Sequence, residues 1–184
     1  MLLTNEQKRE LIKCSAGIIT KDEIQRIIEP VNYGEYVFLL NDSLDKDDAS
    51  FFEALFWDLP NNLSFREEEL ILQFFIEDVR HREHENMAIS FQARFNNNID
   101  NISVLLKSIN LIPKYLDSYD FKYSYIRKII YAIGAQPEPY SIEALEELVN
   151  ATSDQEIKEL ALHQIKKRKE LGRWEFNKNK ESLS

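Results

Sequence analysis

Displaced by 40 residues, the second half of this chain falls on itself: Ile102, Leu105 and Ile109 land on Ile142, Leu145 and Val149, and Phe91 lands on Tyr131 in the same register. Displaced by 31 residues, Ser124–Gly134 falls on Gln155–Ile165, so that Ile126 meets Ile157, Arg127 meets Lys158, Ile129 meets Leu160 and Ile130 meets Ala161. An apolar register that recurs at roughly 30–40 residues, on segments whose apolar residues stand three and four apart, describes stacked helical hairpins. One hairpin buries too little of its apolar face alone, so each needs a neighbour.

The segmentation agrees. Helices are expected near residues 83–95, 100–109, 121–134, 140–150 and 154–170. Polar breaks separate them: Asn96-Asn97-Asn98, Gln136-Pro137-Glu138-Pro139, and Ala151-Thr152-Ser153-Asp154 with Ser153 or Asp154 as cap. The connection from 110 to 120 is longer and holds Pro113. Gly172 ends the last helix, Trp174 and Phe176 are expected to pin the tail back onto the stack, and residues 177–184 read as a frayed end.

The first 80 residues are helical in pattern but show no repeat. Thr4 with Gln7, Thr20 with Glu23, and Ser64 with Glu67 are capping boxes, each opening an apolar-periodic segment. Gly17 and Pro30 close the first two segments. Tyr36–Leu40 reads as helix, Asn41–Asp48 as an acidic loop, and Phe51, Phe52, Leu55 and Phe56 as the next helix. Leu70, Leu72, Phe74, Phe75, Ile76 and Val79 make the helix after Ser64 the most apolar of this half, expected to cross the core. Glu67, Glu68 and Glu69 in its first turn complement the helix dipole and solvate it. Only four Gly and five Pro occur in 184 residues, too few for the many turns of an all-β chain. The expected organisation is one body with a helical acidic region over 1–80, helical repeats over 81–176 and a tail over 177–184.

Charge divides along the same line. Residues 1–80 hold 17 acids and 8 bases, while residues 81–184 hold 15 of each, so the net −9 belongs to the first part. An acidic surface repels phosphate backbones and attracts basic proteins. The lone cysteine, Cys14, rules out an internal disulfide and has no catalytic motif around it. No signal-peptide run and no long uncharged apolar stretch occurs, so the expected location is the cytoplasm, without a membrane span.

Tyr125-Ile126-Arg127-Lys128-Ile129-Ile130-Tyr131-Ala132-Ile133-Gly134 resembles the first helix of a bacterial HEAT repeat, a basic pair followed by apolar-Ala-apolar-Gly. Ile142-Glu143-Ala144-Leu145-Glu146-Glu147-Leu148 is similar to the second helix, and Asp154-Gln155-Glu156-Ile157-Lys158 opens a further repeat. Upstream, His81-Arg82-Glu83-His84-Glu85 is similar to a His-x-x-His-Glu segment in a group of small bacterial HEAT proteins. Several of that group sit beside polymorphic toxin genes and look like immunity proteins of toxin systems such as contact-dependent growth inhibition. The likeness covers residues 81–170. Arg80 and Asn86 stand where that group has a tryptophan and an acid. The resemblance implies an all-α fold: a HEAT/ARM-like α-solenoid, a right-handed stack of antiparallel helical hairpins, with an irregular helical N-terminal half.

Catalytic chemistry finds little support. His81, His84 and Glu85, at i, i+3 and i+4, share a face if one helix holds them. Zinc needs a further ligand, and the spacing is not His-Glu-x-x-His, so packing or capping is the expected role and no metal or other cofactor is expected. No phosphate loop, dinucleotide fingerprint or nucleophile elbow occurs. The run Lys166-Lys167-Arg168-Lys169, with Arg173, Lys178 and Lys180, is expected to complement a helix C-terminus rather than hold nucleic acid.

Three functions follow as expectations. The first is a non-catalytic immunity protein that blocks the active site of a cognate protein toxin, basic in charge, such as a nuclease domain. Its contact is expected on the acidic band Asp42, Asp45, Asp47, Asp48, Glu53 and Asp58, with Tyr33, Tyr36 and Trp57 as aromatic anchors. The second is a HEAT-repeat adaptor that uses a concave face bearing Arg127 and Lys128. The third is a HEAT-like DNA-repair glycosylase, which the net charge disfavours.

Overall fold

The computed structural model describes residues 3–94 and 98–172, and among these it is helical throughout, with no β-strand. The chain divides into two compact units, Met1–Glu83 and His84–Ser184. Trp174, Phe176, Arg173, Lys178, Lys180 and the expected tail 177–184 lie outside the described residues, as do Asn96 and Asn97.

The first unit holds α1 (Asn5–Ser15), α2 (Lys21–Ile27), α3 (Tyr33–Asp45), α4 (Ala49–Asp58) and α5 (Phe65–Phe75). Four of them start in capping boxes: Thr4 with Gln7, Thr20 with Glu23, Asn32 with Glu35, and Ser64 with Glu67. In each, the cap side chain accepts the N3 amide and the N3 side chain accepts the cap amide, which satisfies two otherwise orphaned donors. Gly17, just past α1, has a φ of 70°, a left-handed turn that favours glycine.

Two expectations change here. The acidic loop expected over Asn41–Asp48 is mostly helix, because α3 continues to Asp45. Leu40, Ser43 and Leu44 are buried on one side of it while Asp45 faces solvent, so its polar composition marks an exposed face rather than a break. In α5, Glu69 does not solvate the helix: it is 2% exposed and paired with Arg66.

Phe52 organises the unit's core. His81 stacks on it at 4.6 Å between ring centroids and 6° between planes, and Phe75 meets it edge-on at 5.5 Å. Leu11, Ile24, Leu40 and Leu55 are fully enclosed around this aromatic group's unit. A single parallel bridge joins Val31 to Asn61, with Val31 donating to the Pro60 carbonyl and Asn62 to that of Val31.

The second unit holds α6 (His84–Arg94), α7 (Asp100–Asn110), a 3-10 turn over Lys114–Leu116, α8 (Tyr119–Gly134), α9 (Tyr140–Ala151) and α10 (Gln155–Leu171). Helix α8 is its centre. Tyr125, Ile126, Ile129, Ile130 and Ile133 on it are all fully buried, and it packs against α6, α7, α9 and α10. Helix α7 also packs against α9, and α9 against α10. Of the overlaid positions, Ile102, Leu105, Ile109 and Leu145 are buried, as are Ile126, Ile157, Ile130 and Ala161, while Ile142, Val149 and Leu160 are half-buried. Asn101 donates to Gln136, which in turn donates to the Ala132 carbonyl, so these buried amides satisfy one another. Asp154, not Ser153, caps α10 by accepting from the amides of Glu156 and Ile157, and Gly172 ends it at a φ of 68°. No helix among the described residues is long and apolar enough to cross a membrane.

Candidate functional site

The acidic band divides into separate groups. Asp42 and Asp45 ride the C-terminal half of α3, where Asp42 pairs with Lys46 at 2.6 Å and Asp45 with Arg80 at 2.8 Å. Asp47 occupies the turn after α3 at a φ of 55°. Asp48 is spent locally, capping α4 through the Phe51 amide at 3.0 Å. Glu53 and Asp58 belong to a second cluster on α4. Burial, then the charges of Glu83 and Asp58, push the Glu53 carboxyl up. Asp58 pairs with Lys21 at 3.2 Å, and the Trp57 indole donates to Glu83 at 2.7 Å.

The expected anchors fare unequally. Tyr36 is corrected: it is 3% exposed and its hydroxyl donates to the Phe56 carbonyl at 2.7 Å, so it is a core residue and offers no surface to a partner. Trp57 is partly exposed, with its indole N–H already satisfied. Tyr33 is half-buried and lines a groove that the sequence reading missed.

That groove measures about 790 Å³ and is open to solvent along its length. Tyr33, Leu70, Phe74 and Val79 supply its apolar lining, and Gln73, Glu77, Asp78 and Arg80 its polar one. Phe74 and Val79, expected in the core, are 57% and 53% exposed. The reason is angular. Leu72 and Phe75, with Ile76 at the C-cap, take the buried side of α5, while Leu70, Gln73 and Phe74 at i, i+3 and i+4 lie on the opposite one and Glu77 follows just past the helix end. The signal in the sequence is this second stripe on a helix that needs only one for its core.

At the groove's edge one guanidinium is held by two carboxylates. Asp78 accepts from Arg80 Nε at 3.0 Å, from Nη2 at 2.7 Å and from its backbone amide at 3.0 Å. Asp45 accepts from Arg80 Nη1. Burial pushes the Asp78 carboxyl up, but the hydrogen bonds and charge of Arg80 outweigh it and hold Asp78 below the usual aspartate value.

The histidine segment does not form the shared face its spacing allowed. Helix α6 begins at His84, leaving His81 in the connection before it. Both His81 nitrogens are engaged: Nε2–H donates to the Phe75 carbonyl at 2.6 Å and Nδ1 accepts the Glu83 amide at 3.0 Å, which defines the neutral tautomer. Burial holds His81 below the usual histidine value, against the pull of the Phe75 hydrogen bond and of the Asp78 and Glu83 charges. In the second unit, His84 Nδ1 lies 3.2 Å from the Tyr115 hydroxyl, and Glu85 pairs with Lys128. Cys14 is 7% exposed, and burial raises its thiol, the wrong direction for a nucleophile.

The C-terminal basic run makes ion pairs within its own unit: Arg168 with Glu138, Lys169 with Glu146, and Lys166 with Glu170. Lys167 lies over the Tyr131 ring at 5.2 Å, beside a smaller cavity of about 250 Å³ that Gln92 and Gln164 also line. No family model matches this chain, and no curated protein or solved structure matches it either. A functional reading therefore rests on the chain's own residues.

Proposed function

We propose that this chain is a non-catalytic immunity protein that docks a basic toxin domain, nuclease-like in its positive charge, on its acidic first unit. The observation that carries the reading is the open groove beside α5: exposed Phe74 and Val79, edged by Glu77, Asp78 and Asp45, in a unit of net charge −9. Arg82 and Glu83 cancel, so the whole excess of the chain stays within that unit. An exposed apolar floor with a charged rim is the anatomy of a protein–protein contact. A toxin that acts on phosphates needs cations around its active site. Carboxylates steer that surface in and neutralise it, and buried aromatic contact sets the residence time.

The second unit is read as a HEAT-like stack that serves as scaffold. Its supports are the sequence overlay and the packing order, in which α6, α8 and α10 form one row of neighbours and α7 and α9 another. Among the described residues, Lys166, Arg168 and Lys169 are each paired with a carboxylate of their own unit, which weighs against the DNA-repair reading. The test is co-expression with the toxin encoded beside this chain's gene. Protection and a stable complex are expected. A toxin that kills regardless of the chain contradicts the reading.

A further inference from the structure

We infer that the α5 groove receives a cationic amphipathic segment of the partner, and that Arg80 holds one of that segment's cation positions while the protein is free. The inference rests on the immunity reading only for the partner's identity; the recognition chemistry is that of the groove itself.

The shape favours a segment over a small molecule. Small-ligand sites enclose most of their ligand, whereas this cleft is open along its side and follows a helix. Helix α5 has 11 residues and so runs about 16 Å. A partner helix of three turns matches that length and presents apolar anchors at i, i+3 or i+4 and i+7. Leu70 and Phe74, one turn apart, with Val79 beyond the helix end and Tyr33 opposite, form the apolar lining that such anchors would meet.

The charge selects a cationic segment. The lining holds the carboxylates of Glu77 and Asp78 and the guanidinium of Arg80, and Asp45, 71% exposed at its side chain, adds a further carboxylate beside them. Arg80 already demonstrates the contact: it binds Asp78 through Nε and Nη2 and Asp45 through Nη1, the side-on geometry by which carboxylates take guanidinium. The Asp45 side of this arrangement is the displaceable one, since the Asp78 side chain is only 14% exposed. The side chain of Arg80 is 45% exposed and that of Asp45 is 71% exposed. An incoming arginine meets carboxylates already oriented, with acceptor sites to spare on Asp45. Removing Arg80 therefore leaves a vacant, more negative position, and a cationic partner should bind more tightly.

The test uses the full chain and a synthetic helical peptide of 12 residues, with leucines at i, i+3 and i+7 and arginines on the flanks, measured by fluorescence anisotropy. A control peptide replaces every arginine with glutamate. The arginine peptide is expected to bind and the glutamate peptide not. Phe74→Ser with Val79→Ser should weaken binding about tenfold or more, with helix content and thermal midpoint kept because both side chains are exposed. Arg80→Gln should tighten it by about threefold at low salt and lose that gain at high salt. Weaker binding by Arg80→Gln would show that Arg80 merely braces the groove, and equal binding of both peptides would show that charge does not select; either overturns the inference. The peptide is measured without the toxin, so these outcomes stand apart from co-expression. If Phe74→Ser with Val79→Ser leaves toxin binding intact, this inference fails together with the groove as docking site, while protection in co-expression still decides the immunity reading separately.

Discussion

His81 lies flat on Phe52 with both ring nitrogens satisfied by backbone, so its imidazole can gain a proton only by losing the Glu83 amide bond. Its folded pKa is lowered from the ordinary 6.5. Below that value the unfolded chain takes up a proton that the folded one refuses. The stability contributed is therefore complete above about pH 6.5 and is lost as pH falls toward the folded value. Urea unfolding of the full chain should show stability falling as pH drops below about 6.5, with His81 supplying at most about 1.4 kcal/mol per pH unit. His81→Gln keeps a donor and an acceptor without the titration and should flatten that share of the slope. An unchanged slope would mean that His81 takes up its proton alike in the folded and unfolded chain, against the lowered folded value. The sequence marked this residue as chemically capable. It did not reveal that the helix starts three residues later, which is what takes His81 away from His84 and Glu85.

Among elements, α10 approaches the end of α8 closely at Gly134. A β-carbon at Gly134 would stand 2.1 Å from Gln164 Nε2 and 2.8 Å from two further atoms of that side chain. Alanine gains up to about 1 kcal/mol of helix propensity, but overpacking a buried contact costs about 1–3 kcal/mol. Gly134→Ala is therefore expected to lower stability by about 1 kcal/mol. The double variant with Gln164→Ala should recover part of that loss in thermal unfolding, as a coupled pair does. Simple additivity would contradict the contact. Helix starts were the most legible part of the fold, because a Ser or Thr followed three residues later by Glu or Gln is a local signature, as at Thr4, Thr20 and Ser64. The box at Asn32 and Glu35 is less legible, because it lies two residues past the break at Pro30 and uses Asn as its cap. The acids of α3 dominate its composition and mask its length, while Leu40 and Leu44, one turn apart, carry the helical signal. The groove was the least legible. Both faces of α5 carry apolar residues, and only tertiary packing decides which is covered.

At the scale of the molecule, charge and fold are partitioned. The unit that carries the net −9 is the one with the open groove, and the balanced unit spends cations and carboxylates on each other, as at Arg168 with Glu138 and Lys128 with Glu85. The exposed pairs of this unit, Lys166 with Glu170 and Lys169 with Glu146, contribute about 0–1 kcal/mol each, whereas the Arg168 guanidinium is buried and its pairing with Glu138 offsets the cost of that burial. A uniform excess in the first unit raises its association rate with a basic partner and makes that rate fall with salt. The sequence counts disclosed this partition, whereas the position of the contact within the acidic unit required the structure. Hydrogen–deuterium exchange of the full chain, alone and mixed with a basic toxin domain against which it protects, tests the proposal most directly. Protection is expected across α3, α5 and residues 76–80, with the second unit unchanged; protection confined to α8, α9 and α10, with the first unit exchanging as before, would contradict it.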